Sequence, residues 1–150
     1  MNINDYLISP EGKNWTRLLN FWVPPLPARF TLWFVNRLGE VFVIGENNGV
    51  LRLDVGVGTC SEVARDQNHF AQLLDSDKRL PDEWFRIRLV DACREAGLNL
   101  RADECYGFKI PPTLGGRYEV SNLKPTNLLV HFSYQAYICK QDAIYWVPPA

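Results

Sequence analysis

The succession of strand-like and helix-like segments predicts an α+β fold, a mainly antiparallel sheet with two consecutive helices packed on one face. Strand-like segments occupy residues 31–63, two helical patterns follow in 66–96, and strand-like segments return after 117. Runs of strands followed by runs of helices are typical of α+β proteins. The chain has 150 residues, 47% hydrophobic and 22% charged, which is enough for one domain with a substantial core.

The first strand-like region predicts a β-meander. Its strands and first turn cover 31–35, 36–39, 40–44, 50–55 and 60–63. Asn48-Gly49 is a strong hairpin signal between two apolar segments. Segment 41–44 is apolar on both pleat faces, so we expect a central strand that is covered on both sides. In the following strand apolar residues alternate with Arg52 and Asp54, so one face should meet water or a partner.

Two helices are predicted after the meander, from apolar residues that recur at helical spacing. Asp66 is a suitable N-cap for a helix over 67–75. Pro81 suits the first turn of a second helix, which continues over 82–96. Gly97 is a natural C′ residue that ends this helix.

The chain ends are assigned from composition. Residues 1–30 are predicted to form an N-terminal extension in which Asn14 caps a short helix over 15–22. Strands toward the C-terminus are expected at 117–120, 126–133 and 136–140. Residues 142–150 are predicted to be a tail. Trp residues are concentrated near both ends, which leaves self-association through these termini open.

The stretch 105–122, called the Pro/Gly loop below, has the most constrained backbone in the sequence. Its structural motif consists of Tyr106, Gly107, Phe108, Pro112, Gly115, Gly116, Tyr118 and Asn122. The paired glycines suit a tight turn, because glycine adopts positive φ at little steric cost. No helix is predicted directly behind them, so a structural turn is favoured over a phosphate-binding loop.

Charge and composition exclude several classes of function. The net charge is −1 and no stripe of Lys or Arg is visible, so we expect no direct binding to nucleic acid. No apolar run is long enough to cross a membrane. The first residues lack the features of a signal peptide, which predicts a cytoplasmic location. The cysteines, Cys60, Cys93, Cys105 and Cys139, are far apart and are interpreted as reduced and mostly buried.

The sequence contains no convincing catalytic or metal-binding constellation. No set of ligands occurs at metal-binding spacing, and neither a metal nor a cofactor is expected. His69 and His131 are interpreted as surface or strand residues. A Cys105 nucleophile with His131 as base is conceivable, but acidic Asp103 and Glu104 would raise the pKa of the thiol. The chain is therefore predicted to bind a partner and not to act as an enzyme.

Acidic residues accumulate between positions 40 and 104, where 13 acidic and 8 basic residues give a balance of −5. The candidate partner-binding residues are Glu46, Asp54, Glu62, Asp66, Asp75, Asp77, Asp82 and Glu83. Taken alone, such a group favours a solvated face that keeps the protein soluble. An acidic surface would also speed association with a basic partner such as a nuclease.

The motifs of the Pro/Gly loop resemble the C-terminal domain of bacterial type VI secretion immunity proteins. They are Tyr106-Gly-Phe-Lys, Pro112, Leu114-Gly-Gly, Tyr118-Glu-Val and Asn122, followed by Leu128-Leu-Val-His. The Gly39-Glu-Val-Phe-Val strand and the Trp84-Phe85 helix look similar too. The resemblance covers roughly residues 31–141, which implies an immunity-like domain with these bounds. Members often carry a further α+β domain in front, and 30 residues cannot hold one.

The resemblance implies a protein that binds and inhibits a cognate secreted toxin. Immunity proteins of this kind neutralise a DNase toxin encoded beside them, so the expected partner is a type VI DNase effector held by stoichiometric occlusion. Two other hypotheses remain open. One is a small-ligand-binding regulatory module with a pocket under the Pro/Gly loop. The other is an enzyme that uses Cys105 and His131.

Overall fold

A computed structural model describes residues 2–145, with side chains described as far as residue 140. The strands are β1 (Phe30–Val35), β2 (Val41–Gly45), β3 (Val50–Asp54), β4 (Thr59–Ala64), β5 (Glu104–Phe108) and β6 (Leu123–Asn127). The α-helices are α1 (Trp15–Asn20), α2 (Gln67–Ser76), α3 (Leu80–Phe85), α4 (Ile87–Glu95) and α5 (Leu128–Tyr145). Short 3₁₀ turns cover Ile3–Tyr6, Pro112–Leu114 and Val120–Asn122.

Strands β1 to β4 form one antiparallel sheet in sequence order, and β5 pairs with β6 in a second, two-stranded sheet. This confirms the predicted α+β class. The Asn48-Gly49 hairpin is also confirmed, with Asn48 at φ 66° and a 2.9 Å hydrogen bond from the Gly45 N–H to the Gly49 carbonyl. The apolar residues of β2 are covered on both faces, as their sequence predicts.

The prediction that the polar face of β3 meets water is wrong for Arg52. Its side chain is 12% exposed and lies between Glu40 and Glu83. Alternation along a strand shows which residues share a face, but it does not show what packs on that face. Here the residues at the end of α3 cover it, and the charge of Arg52 is compensated inside the protein.

Side-chain caps fix the helices that follow the sheet. The Asp66 carboxylate accepts a hydrogen bond from the His69 N–H at 2.7 Å at the start of α2. The single helix predicted over 82–96 is wrong in one respect, because it is broken into α3 and α4 at Arg86, which has φ 53°. The Asp82 carboxylate accepts a hydrogen bond from the Arg88 N–H at 2.9 Å across this break. Gly97 follows α4 with φ 81°, as predicted.

The strands predicted at 117–120 and 136–140 are wrong, and the strand predicted at 126–133 is right only for residues 126–127, the end of β6. Residues 120–122 form a 3₁₀ turn, β6 ends at Asn127, and one helix, α5, begins at Leu128. Leu128 and Phe132 fit a strand of period two, but they are also four residues apart and share a helix face with buried Ala136. The Asn127 side chain accepts a hydrogen bond from the Leu129 N–H at 2.9 Å, and this cap starts the helix.

The N-terminal residues pack into the core. Asn14 caps α1 as predicted, by accepting a hydrogen bond from the Arg17 N–H at 3.1 Å. Leu18, Leu19 and Trp22 are buried, and the Trp22 indole donates to the Phe132 carbonyl in α5 at 3.2 Å. Trp22 is therefore packed in the core and is not exposed for self-association. Of the predicted tail, residues 146–150 lie outside the described residues. Within the described part of the chain, no helix is long and apolar enough to cross a membrane.

Candidate functional site

The Asn122 side chain closes the Pro/Gly loop. Its oxygen accepts a hydrogen bond from the Ile110 N–H, and its NH₂ group donates to the carbonyls of Ile110 and Arg117, all at 2.9 Å. The Lys109 N–H also donates to the Asn122 carbonyl at 2.7 Å. Both donors and the acceptor of this buried amide are satisfied, so the amide holds two distant parts of the loop together.

The two adjacent glycines of the loop meet different requirements. Gly115 has φ 95°, a left-handed conformation that favours glycine. Gly116 does not share this φ, but a Cβ there would overlap the Ile110 carbonyl oxygen. The loop therefore needs the first glycine for its backbone conformation and the second for the close approach of two chain segments.

The aromatic residues of the motif attach the loop to the protein. The Tyr118 and Phe108 rings meet edge to face, with their centroids 5.2 Å apart. The Tyr106 hydroxyl donates to the Leu98 carbonyl at 2.6 Å. Gly107 lies where a Cβ would approach Thr126 of the neighbouring strand. Residues 105–108 of this stretch therefore belong to the buried strand β5, and these contacts fix the remaining residues of the loop to it.

A buried carboxylate beneath this region organises the largest polar group of the core. Glu40 precedes β2 and its side chain is 2% exposed. Arg86 donates to both of its oxygens, from Nε at 3.0 Å and from Nη2 at 2.8 Å. Arg52 Nη2 donates at 3.1 Å and Asn36 Nδ2 at 2.7 Å. These four residues are called the Glu40 cluster, and their bidentate, charge-assisted bonds belong to the strong class.

The charges of the Glu40 cluster stabilise one another. Burial would raise the pKa of Glu40, but the hydrogen bond and charge of Arg86 and the charge of Arg52 hold that pKa below its ordinary value. Burial would likewise lower the pKa of Arg86, yet the hydrogen bond and charge of Glu40 raise it above its ordinary value. Both groups therefore remain ionised at neutral pH.

Arg86 connects the cluster to the Pro/Gly loop. Its left-handed φ is uncommon for a residue other than glycine and is retained because the guanidinium is fixed on Glu40. The same guanidinium lies 4.6 Å from the centroid of the Tyr118 ring. Nearby, burial raises the pKa of Asp54 and the charge of Glu40 raises it further. One side chain thus joins the sheet, the helix break and the loop.

An open cleft of about 630 Å³ lies outside Arg86, between the α3–α4 pair and residues 118–120 of the Pro/Gly loop. Its charged lining residues are Arg79, Asp82, Glu83, Arg86, Arg88 and Glu119. Three are basic and three are acidic, so the formal charges of the lining cancel. Two of the predicted partner-binding residues, Asp82 and Glu83, reach this cleft.

Five of the eight predicted acidic residues are engaged in local contacts. Asp66 and Asp82 accept hydrogen bonds from backbone N–H groups at the starts of helices, as described above. Asp54 accepts one from the Gly56 N–H at 2.9 Å. Asp77 pairs with Arg79 at 3.1 Å, and Glu83 pairs with Arg52 at 3.4 Å. These five carboxylates contribute to local structure, whatever further role they have.

The other three predicted acidic residues, Glu46, Glu62 and Asp75, are exposed. Glu46 makes one long ion pair, 3.8 Å, with the exposed Arg29. Glu46 lies in the β2–β3 turn, Glu62 on β4 and Asp75 in the last turn of α2. Their role in partner binding stays a prediction.

Cys105 and His131 lie close together, but inside the core. A Cβ on Gly39 would lie 3.1 Å from His131 Cδ2 and 3.7 Å from Cys105 Sγ. Burial, together with the charge of Glu104, raises the pKa of the Cys105 thiol, and burial lowers the pKa of His131 to about 4. The raised pKa disfavours the thiolate form of Cys105, and the burial of both side chains disfavours access by a substrate. The interpretation of His131 as a surface or strand residue is wrong, because it is buried on α5.

Sequence reasoning missed the Glu40 cluster. The available signal was Glu40 itself, a charged residue directly before an apolar strand that is covered on both faces. A carboxylate at such a position requires buried cationic partners. The identity of those partners, Arg52 and Arg86, depends on tertiary packing. No three Cys, His, Asp or Glu side chains in the described part of the chain are grouped so that they could hold a metal ion.

Fold and site together define an α+β protein with a rigid loop, a compensated internal ion cluster and an adjoining charged cleft. Residues 64–137 match the family model described as T6SS immunity protein Tdi1, C-terminal, where T6SS is the type VI secretion system. The match confirms the resemblance seen in the sequence. It spans 74 of the 150 residues, from the end of β4 into α5. A comparison with curated proteins gives no match.

The match is to a family described as immunity proteins and supports an immunity role. It includes Arg86, Tyr118 and the whole Pro/Gly loop. Glu40 and Arg52 precede the matched residues, so the Glu40 cluster is assembled from residues on both sides of the boundary.

Proposed function

We propose that the protein is an immunity protein that binds a type VI DNase effector and blocks it by stoichiometric occlusion in the cytoplasm. The observation that carries the proposal is the family match over residues 64–137. The rigid Pro/Gly loop and the cleft beside it fit a role that depends on surface shape. A specific interface of this kind buries on the order of 1,600 Å² in total.

The decisive experiment pairs the purified protein with the toxin encoded next to its gene. DNA cleavage by the toxin should fall in proportion to added immunity protein and stop near one equivalent, because occlusion involves no turnover. Size-exclusion chromatography with light scattering should show the complex. Residual cleavage at a tenfold excess, without a complex, would refute the proposal. Inhibition far below one equivalent would refute occlusion and indicate an enzymatic mechanism.

The acidic-surface version of the proposal is best tested at the three exposed carboxylates. Reversal of charge at Glu46, Glu62 and Asp75 leaves the helix caps and internal ion pairs intact. We expect the association rate to fall about tenfold or more at low salt and the difference to shrink as salt increases. Glu95→Lys, an exposed substitution on α4, is the matched control and should change the rate little.

An unchanged association rate and salt dependence in the triple variant would exclude this surface while leaving inhibition itself intact. In that case the cleft beside Arg86 becomes the surface to test. Arg79→Glu and Arg88→Glu reverse two charges of its lining, and a loss of affinity in these variants would move the proposed interface to the cleft.

A second candidate function is a small-ligand-binding regulatory module. The cleft of about 630 Å³ favours it, because its volume falls within the range of small-molecule sites. Thermal-shift screening against nucleotides and metabolites tests this candidate. A large rise in Tm with one compound, abolished by a Tyr118 substitution, would support the module. An immunity protein should show no such response.

A further inference from the structure

Two arginines share a small cavity on the side of the molecule where the N-terminal residues cross the end of α4. Arg37 lies in the β1–β2 turn and Arg94 in the last turn of α4, and both line a cavity of about 170 Å³. Asn99, Leu100 and Tyr106 complete its lining, so no carboxylate lines it. Guanidinium groups stay protonated in proteins, so two of them in one cavity repel each other unless an anion intervenes.

Arg37 is held in place by its backbone. Its N–H donates to the Tyr6 carbonyl at 3.2 Å, and its carbonyl accepts from the Tyr106 N–H at 2.8 Å. Its Nη2 donates to the Asn4 carbonyl at 3.3 Å, while its Nε is buried and has no hydrogen-bond partner among the described residues. Burial lowers the pKa of Arg37 and the charge of Arg94 lowers it further, while Tyr106 and the Asp5 carboxylate act in the opposite direction without reversing the shift. A buried, unsatisfied donor of a cation is costly.

Arg94 approaches the same cavity from the helix. Its guanidinium lies 5.4 Å from the centroid of the Tyr6 ring and donates to the Asp5 carbonyl. The nearby Asp91 carboxylate accepts the Tyr6 hydroxyl at 2.8 Å. A position in the last helical turn accounts for Arg94 by complementing the helix dipole, but it does not account for Arg37 beside it.

Among the described residues neither Arg37 nor Arg94 forms an ion pair, whereas Arg52 and Arg86 are each paired with Glu40. We propose that the cavity between Arg37 and Arg94 binds a small oxyanion, a carboxylate or a phosphate. The forked guanidinium matches the geometry of both anions, and the Asn99 amide adds a donor at the rim. The cavity volume limits the bound group to a few heavy atoms. This site is separate from the proposed toxin interface.

Thermal unfolding and calorimetric titration of the free protein test the site. Sodium phosphate, sodium acetate and sodium chloride are compared at equal ionic strength, so that general screening cancels. We expect phosphate or acetate at about 20 mM to raise Tm by about 3 °C or more above chloride, with millimolar affinity in the titration. A response to phosphate alone, to acetate alone or to both identifies the source of the oxyanion, and each supports the proposal.

Arg94→Gln and Arg37→Gln should each weaken binding by about tenfold or more, because each removes a charge-assisted pair of hydrogen bonds. Arg101→Gln is the matched control, since it removes an exposed positive charge two residues from Asn99, and it should keep the full response. An equal response in all variants would overturn the proposal, as would a wild-type protein that responds to neither anion. The wild-type titration and Arg94→Gln decide the matter even if Arg37→Gln does not fold.

Discussion

The Glu40 cluster and the Arg37–Arg94 pair each place two partly buried arginines together, but only the first supplies a carboxylate. In the cluster, Glu40 neutralises one of the two cations and orients both, so the assembly joins sheet, helix break and loop. In the other pair the guanidinium groups contact two backbone carbonyls and the Tyr6 ring, and among the described residues they form no ion pair, although the Asp5 and Asp91 carboxylates lie nearby. The buried carboxylate of Glu40 fixes both arginines of its cluster in place. Arg37 and Arg94 have no such ion pair among the described residues, so their charges can still bind an anion from solution.

The largest expected effect tests the compensated side of this comparison. Glu40→Gln keeps the side-chain shape but removes the carboxylate that pairs with both arginines, so that Arg86 loses its ion pair and Arg52 keeps only the pair with the exposed Glu83. We expect the free energy of unfolding to fall by about 3–5 kcal/mol, the usual cost of breaking a buried ion pair. Urea denaturation measures the change. Glu62→Gln, exposed on β4, should stay within about 0.5 kcal/mol of wild type. If the free energy of unfolding of Glu40→Gln fell by less than about 1 kcal/mol, the Glu40 cluster would not contribute more to stability than the Arg37–Arg94 pair, and the comparison would fail.

A smaller effect concerns His131, a buried group near Glu40 whose Nε2 has no hydrogen-bond partner within the part of the chain that the structure describes. Burial lowers its pKa to about 4 in the folded state, against about 6.5 in an unfolded chain. The unfolded state therefore binds a proton first, and stability is lost as pH falls from about 6.5 to about 4. Between pH 6.5 and 5 the loss should be about 1.6 kcal/mol.

The matched variants for this pH effect are His131→Gln and His69→Gln. The first should remove most of the stability change between pH 6.5 and 5, whatever its effect on stability at pH 7. The second, on α2, should retain it. An identical pH dependence in both variants would show that His131 does not titrate as its burial requires. Urea unfolding at several pH values, with Glu40 still ionised, makes the comparison.

The smallest effect tests the uncompensated side. Arg94→Gln loses a contact with the Tyr6 ring but also removes the repulsion from Arg37. We expect the free energy of unfolding to change by no more than about 0.5 kcal/mol in chloride buffer. Denaturation at low and high salt should show a weaker salt dependence than wild type, because one of two like charges is gone. A loss of about 3 kcal/mol would mean that an internal group already compensates Arg94.

Local chemistry made much of the fold predictable. Asn14, Asp66 and Gly97 mark helix ends through caps that depend on a few neighbouring residues, and Asn48-Gly49 marks a hairpin in the same way. The sequence around α5 was misread because period-two alternation and a four-residue helical spacing coincide at Leu128 and Phe132. The Asn127 cap was the local signal that separates the two interpretations.

The site was less predictable than the fold. The motif of the Pro/Gly loop is visible in sequence because glycine and proline have conformational restrictions of their own. The partners of Glu40 are not visible, since Arg52 lies 12 residues away and Arg86 lies 46 residues away. The roles of the acidic side chains are only partly visible. The cap at Asp66 follows from local sequence, whereas the Asp82 carboxylate accepts a hydrogen bond across a helix break that the sequence does not predict.

The position of the Glu40 cluster has a practical consequence for exchanging parts between related proteins. A graft that follows the family match at residue 64 would transfer Arg86 and Tyr118 but leave behind the carboxylate that anchors them. Such a hybrid would carry Arg86 and the transferred loop without the glutamate that pairs with this arginine in the parent protein. Chimeras built to change the partner should therefore exchange the segment from Asn36 onward, so that Glu40 and Arg86 come from the same parent protein.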